Sequence, residues 1–303
     1  MTINEWFQQA KKISYWTTEN EPKSSEYLGK LVYGGLILLM LYRWHIGKTI
    51  TSLTLSPLMD PEVDNTFWLI LATGIPEMLI QNPTLGLAFD IIVFALACLG
   101  FLRKDKRSVT WLFLILFLFH TITIEAYSGS HSKIAVCIFI TLLPFGFTGE
   151  RWVRLWEFAR YYLAFVMVNS AVAKLYFGGL FTSNQMTNIL THQHVELQIL
   201  APNSVQTKMI QFLISTPTFT NSLYFLGFIS QLVFIVAFFT RKIDKALTII
   251  LISFVILTHI TMRITNADLL YMILPLWFSL AYYQRPTSHQ NHFSQTTIII
   301  NRN

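Results

Sequence analysis

The chain has 303 residues, of which 53% are apolar and 13% charged, and its mean hydropathy is +0.49. A water-soluble domain carries roughly 25% charge, so an aqueous globular fold is excluded. Apolar segments recur along the whole length without a Gly/Ser/Pro-rich linker, which predicts a single all-α polytopic bundle whose main partner is the lipid bilayer.

The first 27 residues precede the apolar runs. Ile3, Trp6, Phe7, Ala10, Ile13 and Trp16 recur at helical spacing, with Gln8, Gln9, Lys11 and Lys12 mostly between them. That pattern predicts an amphipathic helix lying in the membrane plane, closed by Pro22. No apolar core of a secretory signal and no small-residue cleavage site occur there.

A hydrocarbon core needs roughly 20 apolar residues per helix. Runs of that kind, or nearly so, lie at about 28–46, 84–102, 108–127, 132–148, 155–177, 219–239, 245–263 and 268–284. They give about eight spans inside a domain of 28–285. Seven or nine also fit, because Pro144 shortens the fourth run and the last two nearly join. The piece Phe67–Glu77 is broken by Gly74 and Pro76 and is expected on the outer interface or as a re-entrant turn. The tail 286–303 is polar and expected to be disordered apart from Thr297–Ile300.

Short cytoplasmic loops carry the excess of Lys and Arg, and the loops alternate accordingly. Arg103 to Arg107 is basic, Tyr127 to Lys133 hardly so, and Arg151 with Arg154 basic again; the long segment 178–218 holds only Lys208, and Arg241, Lys242 and Lys245 form a basic turn. Both termini are therefore expected in the cytoplasm, with the chain multi-pass in a bacterial-type inner membrane. Orientation accounts for the formal charge of +6, and no nucleic-acid partner is needed.

Cys98 and Cys137 fall at different depths on this topology, which disfavours a disulfide. No CxxC or HxxxH pattern is present. His192-Gln-His194 could hold a metal only on an extended strand, and a solvated loop is the simpler reading.

Given the topology, ionisable groups gather in the outer halves of the spans. Arg43 and His45 end the first, Asp90 lies within two turns of the start of the second, and His120 and Glu125 lie toward the end of the third. Lys174 is about a turn from the end of the fifth, His259 and Arg263 are one turn apart at the end of the seventh, and Asp268 opens the eighth. Apart from Glu157 and Arg160, the inner halves are almost uncharged. This predicts a polar cavity reached from outside. A through path is disfavoured, since a transporter should show polar groups at every depth or helices broken at the midplane.

Simpler readings stand beside the functional ones. Arg43, Arg263 and Asp268 read as helix-end residues that snorkel to the interface, and Lys174 can do the same, although a charge inside hydrocarbon costs at least about 2.5 kcal/mol and often marks function. His120 reads equally as a satisfied buried histidine. Asp90 and His259 are the hardest to excuse by snorkelling. Asn169 and Ser170 are candidate interhelical hydrogen-bonding groups, with Ser170 one turn from Lys174 and placed to orient its amine.

The segment Arg160-Tyr-Tyr-Leu-Ala-Phe-Val-Met-Val-Asn-Ser-Ala-Val-Ala-Lys174-Leu, followed by Gly178-Gly179-Leu180, resembles a helix of the HTTM (horizontally transferred transmembrane) family, which includes the membrane part of vitamin K-dependent gamma-carboxylase. The Leu143-Pro144 pair, the basic turn after the second span and His259 in a Thr-His-Ile context agree with it. The resemblance implies that Lys174 is the base that deprotonates a reduced vitamin K or another quinol, with His259 as neighbour; Asp90, His120, Glu125, Asn169, Ser170 and Arg263 are candidate binding residues from the depth and spacing above. A lysine does this as the neutral amine, the form that a low dielectric favours. The chain departs from the family where Tyr176 to Phe181 replaces an expected Trp, where Gln231 stands for an acidic residue, and in lacking the large extramembrane domain that holds a peptide substrate. These departures imply a smaller quinol or other hydrophobic substrate rather than protein glutamate. The reading from a different class is a non-catalytic membrane subunit or small-molecule transporter whose polar groups line or brace the bundle.

Overall fold

The computed structural model describes residues 21–54, 65–103, 107–128, 134–182, 184–262 and 267–279, and among these every regular element is helical. The long elements are α1 (Glu21–His45), α4 (Pro83–Leu102), α5 (Arg107–Ser128), α7 (Glu150–Tyr176), α11 (Pro217–Leu232) and α12 (Asp244–Met262). Shorter ones are α2 (Asn65–Ala72), α3 (Ile75–Gln81), α6 (Ile134–Leu142), α8 (Gln185–Gln193), α9 (Val195–Leu200), α10 (Val205–Ser215), α13 (Ala267–Tyr271) and α14 (Ile273–Trp277).

Among the described residues four helices are long and apolar enough to cross a membrane: Pro83–Leu102, Arg107–Ile124, Pro217–Phe238 (α11 with the 3-10 turn after it) and Asp244–Met262. Helices α1 and α7 are longer, at 25 and 27 residues, or roughly 37 and 40 Å at 1.5 Å per residue. Their charged first halves, Glu21 to Lys30 and Glu150 to Arg160, set them apart from the four. The apolar stretch Val136–Gly146 is shorter because Pro144 turns the end of α6 into a 3-10 helix, Leu143–Gly146. Proline lacks the N–H that an α-helix needs in its interior.

Two expectations change in detail. Helix α1 begins at Glu21, ahead of the expected Leu28, with Pro22 in its first turn. Proline is tolerated there because first-turn N–H groups have no helical partner anyway. The amphipathic helix expected before it lies outside the described residues, as do 55–64 and the tail. Segment 178–218, expected as a loop, is largely the three helices α8 to α10. Phe67–Glu77 is broken as expected, at Gly74, whose φ of +70° suits a residue without a Cβ.

Two apolar cores hold the bundle. One joins α1, α4, α5, α6 and the start of α7 around Leu36, Phe113, Phe117 and Trp156; the other joins α6, α7, α12, α13 and α14 around Leu163, Phe234 and Leu251. Helices α6 and α7 belong to both. Close approach of α1 to α4 depends on Gly100, where a Cβ would lie 2.3 Å from the Tyr33 ring. That ring is fully buried and its hydroxyl bonds Thr110 at 2.8 Å. The outer surface is apolar in turn: Leu38, Ile91, Ile115, Phe165 and Ile249 are all exposed, as expected of side chains that face lipid.

The chain direction sorts the charges between two ends of the bundle. Arg43, Asp90, His120 and Lys174 belong to one end. Arg103, Arg107, Glu157, Arg160, Arg241 and Asp244 belong to the other. There Arg160 and Asp244 are completely buried and form a two-pronged ion pair, Nε to Oδ2 and Nη2 to Oδ1, both at 2.8 Å. Arg160 also donates to the Thr240 carbonyl at 3.0 Å, and Arg241 pairs with Glu157 at 2.9 Å. This network ties α7 to the turn before α12.

Candidate functional site

Two polar clusters occupy the end opposite the ion pair. The first is built by α1, α4, α5 and the segment after α1. Asp90 is in the second turn of α4, about 10 Å along from Pro83, and His120 is about 12 Å before the end of α5. The facing rotations of α4 and α5 bring the two within 2.8 Å, His120 Nε2 to Asp90 Oδ1, with both side chains about 4% exposed. The chain after α1 folds back as a short 3-10 turn, Ile50–Ser52, so that the Ile50 amide also donates to Asp90 Oδ1, at 3.4 Å.

An ionised aspartate can only accept, so His120 Nε2–H donates to it, and in the neutral ring Nδ1 is then an acceptor. His120 Nδ1 and Asp90 Oδ2 are buried with no hydrogen-bond partner among the described residues. The imidazole lies near two phenylalanines, Phe117 at 6.3 Å and Phe89 at 6.2 Å between ring centres. A narrow pocket of about 20 Å³, room for about one water, is bounded by Arg43, Trp44, Lys48, Asp90, Phe94 and His120, with Met40 and Thr49 completing it. Arg43 is buried, whereas Trp44 and Lys48 are exposed at the mouth.

The second cluster lies between α7 and α11. The half-buried Lys174 amine donates to Gln231 Oε1 and sits 5.8 Å from the centre of the Tyr224 ring, within reach of a cation–π contact. Tyr224 and Gln231 are seven residues apart on α11, two turns along one face. Gly179 leaves room for the tyrosine, since a Cβ there would lie 3.0 Å from its hydroxyl. No carboxylate among the described residues is within ion-pair distance of Lys174.

Of the residues singled out from sequence, the structure brings Asp90 and His120 together. It does not join them to Lys174: no hydrogen bond, ion pair or pocket wall among the described residues is shared by the two clusters. Ser170 is half-buried and Asn169 exposed, and neither bonds the lysine. His259 is exposed on α12. The side chain of Glu125, and Arg263 altogether, lie outside the described residues. His192 is exposed, while His194 is buried with Nε2 at 2.8 Å from the Thr261 carbonyl. Among the described residues no three metal-binding side chains cluster, and Cys98 and Cys137 are not joined by a disulfide.

Sequence reading missed Lys48, Trp44 and Phe94 as pocket walls and Gln231 as the lysine's partner. An amide in the apolar run Phe225–Phe238 was the signal for the last, because a polar group in a membrane helix needs a partner. Compared with protein-family models, curated proteins and solved structures, the chain matches none.

Proposed function

We propose that this chain is an HTTM-like multi-pass protein of about eight spans, with both termini on the basic, cytoplasmic side of a cell membrane. In this reading it acts from the opposite side on a quinol or another hydrophobic small molecule. Lys174 accepts a proton from a hydroxyl of that molecule, the O–H bond breaks, and the electron pair stays on oxygen as the reactive anion. The observation that carries the reading is the environment of Lys174. Its amine is half-buried near the end of α7 and is held by the neutral amide of Gln231 rather than by a carboxylate. An ion-paired ammonium would be locked in its charged form, and an amide acceptor imposes no such lock. The resemblance puts an acidic residue where Gln231 stands, so this difference bears directly on the chemistry.

The same bond favours a second reading, in which Lys174 and Gln231 brace α7 against α11 in a non-catalytic subunit. Purified wild-type protein and Lys174→Met, which keeps the apolar bulk and removes the amine, separate the two. Binding of a short-tailed quinol and oxygen consumption by wild type, with binding but no turnover in the folded variant, are expected for a base. Loss of stability in the variant, with no interaction of either protein with quinol, would establish the brace and withdraw the family reading.

A further inference from the structure

The turn between α9 and α10 holds out apolar side chains that the bundle does not cover: Ile199 and Leu200 are 71% and 73% exposed, and Val205 87%. Charge avoids it. From Ile199 to Val205 there is none, and the nearest ionised groups, Glu196 and Lys208, each lie one helical turn back. The backbone of the turn is largely bonded within the segment. Ala201 N–H donates to the Leu197 carbonyl at 3.0 Å, and Ser204 N–H to that of Ala201 at 3.1 Å. The hydroxyl of buried Thr207 donates to the same Ala201 carbonyl at 2.6 Å and its N–H to Ser204 Oγ at 3.0 Å, while Pro202 has no N–H to satisfy. Backbone that enters lipid has to find its partners internally, and this turn largely does so.

An apolar strip joins the turn to a span. Leu226 and Phe219 on α11, then Phe212 and Val205 on α10, recur at seven-residue intervals, two turns along one face within each helix, and all four are exposed. The Phe212 and Phe219 rings, 6.2 Å apart, carry the strip across the corner between the helices. Because Pro217–Phe238 is long and apolar enough to cross a membrane, its exposed face around Leu226 meets acyl chains. Helix α10 does not extend that helix into water. Its buried Ile210 and Leu213 pack with Leu223 and Tyr224 of α11 and Met262 of α12, and the Leu213 carbonyl accepts from the Thr220 hydroxyl at 2.6 Å, so α10 lies against the helix ends. The exposed face of neighbouring α8 is polar instead, with Asn188, Thr191, His192 and Gln193.

We infer that the α9–α10 turn is a wedge immersed in the lipid surface at this end of the bundle. Ile199, Leu200 and Val205 lie among the upper acyl chains, Glu196 and Lys208 at the level of the head groups, where the lysine stem lets its ammonium reach phosphate, and the polar face of α8 stays in water. Lipid rather than a second protein is the occupant, because the strip runs unbroken from Val205 to the lipid-facing surface of α11.

The test uses the full-length chain in phosphatidylcholine nanodiscs, with a nitroxide on one introduced cysteine at a time in a Cys98→Ala, Cys137→Ala background. Relaxation of the label by oxygen, which concentrates among acyl chains, is compared with relaxation by a water-soluble nickel chelate. Leu226→Cys is the lipid reference and Thr191→Cys the water reference. Labels on Leu200→Cys and Val205→Cys should follow the first, with oxygen the stronger relaxant and a depth of about 5–10 Å into the boundary between head groups and acyl chains, where in-plane apolar faces lie. Stronger relaxation by the chelate, as at Thr191→Cys, would place the turn in water and overturn the inference. Protection from both reagents would overturn it too, since a protein, a second copy included, would then cover the turn. If the cysteine-free background does not fold, p-benzoylphenylalanine in place of Leu200, with both native cysteines kept, should crosslink to phospholipid on irradiation; a protein adduct, or no adduct, would refute the wedge.

Discussion

Removing one partner of the Arg160–Asp244 pair should be among the most damaging changes this bundle can suffer, and removing both should be far milder. Both side chains are fully buried. Arg160→Met deletes two charge-assisted bonds of 2.8 Å and a third to the Thr240 carbonyl, and strands the Asp244 carboxylate in the core. Buried pairs broken this way cost about 3–5 kcal/mol. Asp244→Leu strands the Arg160 guanidinium in turn and should cost a similar amount, about 3–5 kcal/mol. The double change Arg160→Met with Asp244→Leu exchanges the pair for apolar contacts and should lie within about 2 kcal/mol of wild type, because attraction between buried charges roughly offsets their desolvation. The neighbouring Arg241–Glu157 pair is partly exposed, with Arg241 at 22%, and such pairs are worth about 0–1 kcal/mol. It cannot substitute. Unfolding in mixed micelles by titration with SDS, followed by circular dichroism, gives the four free energies of a double-mutant cycle. Single variants costing under about 1 kcal/mol, or a double variant that loses the sum of the two, would refute the coupling.

The remaining predictions concern packing and orientation. Gly100→Ala should cost about 1–3 kcal/mol, as overpacking does, because the Tyr33 ring it meets at 2.3 Å is buried and tethered to Thr110; Gly227→Ala, with nothing within 4 Å, is the neutral control in the same unfolding assay. On a Cys98→Ala, Cys137→Ala background, a membrane-impermeant maleimide should label Lys208→Cys in intact cells and Lys242→Cys only after permeabilisation. Both positions are exposed, and the reverse pattern would invert the proposed orientation.

The limits of four of the eight expected spans were legible, whereas the run expected at 268–284 holds, among the described residues, only the five-residue helices α13 and α14. The run expected at 84–102 is Pro83–Leu102 and that at 245–263 is Asp244–Met262, because hydrocarbon thickness fixes how long an apolar run must be. Depth along a helix placed Asp90 and His120 among the outer-half polar groups, but it singled out Asp90 with His259, which is exposed on α12. The pairing of Asp90 with His120 was not legible, since it depends on how α4 and α5 are rotated about their axes, and both helices are apolar nearly all round. Lys174 and Gln231 are 57 residues apart, and nothing local joins them. Helices α8 to α10 were read as a loop because each is too short for a membrane run. Their apolar residues Met186, Leu190, Ile210 and Leu213 pack as a small layer of their own with Leu223 and Tyr224 of α11.

The Arg160–Asp244 pair also sets a problem of timing for a chain inserted as it is made. The partners are 84 residues apart, and synthesis at about 5–20 residues per second separates their arrival by roughly 4–17 s. Throughout that interval α7 must carry a lone guanidinium in or near hydrocarbon, which helix-insertion scales put at about 2.5–3.5 kcal/mol at the bilayer centre. Stored beside the head groups until α12 arrives, Arg160 would make the second half of the bundle the step that seats the first. A nascent chain stopped before Asp244 should therefore hold α7 only loosely, and quality-control proteases would meet it in that state.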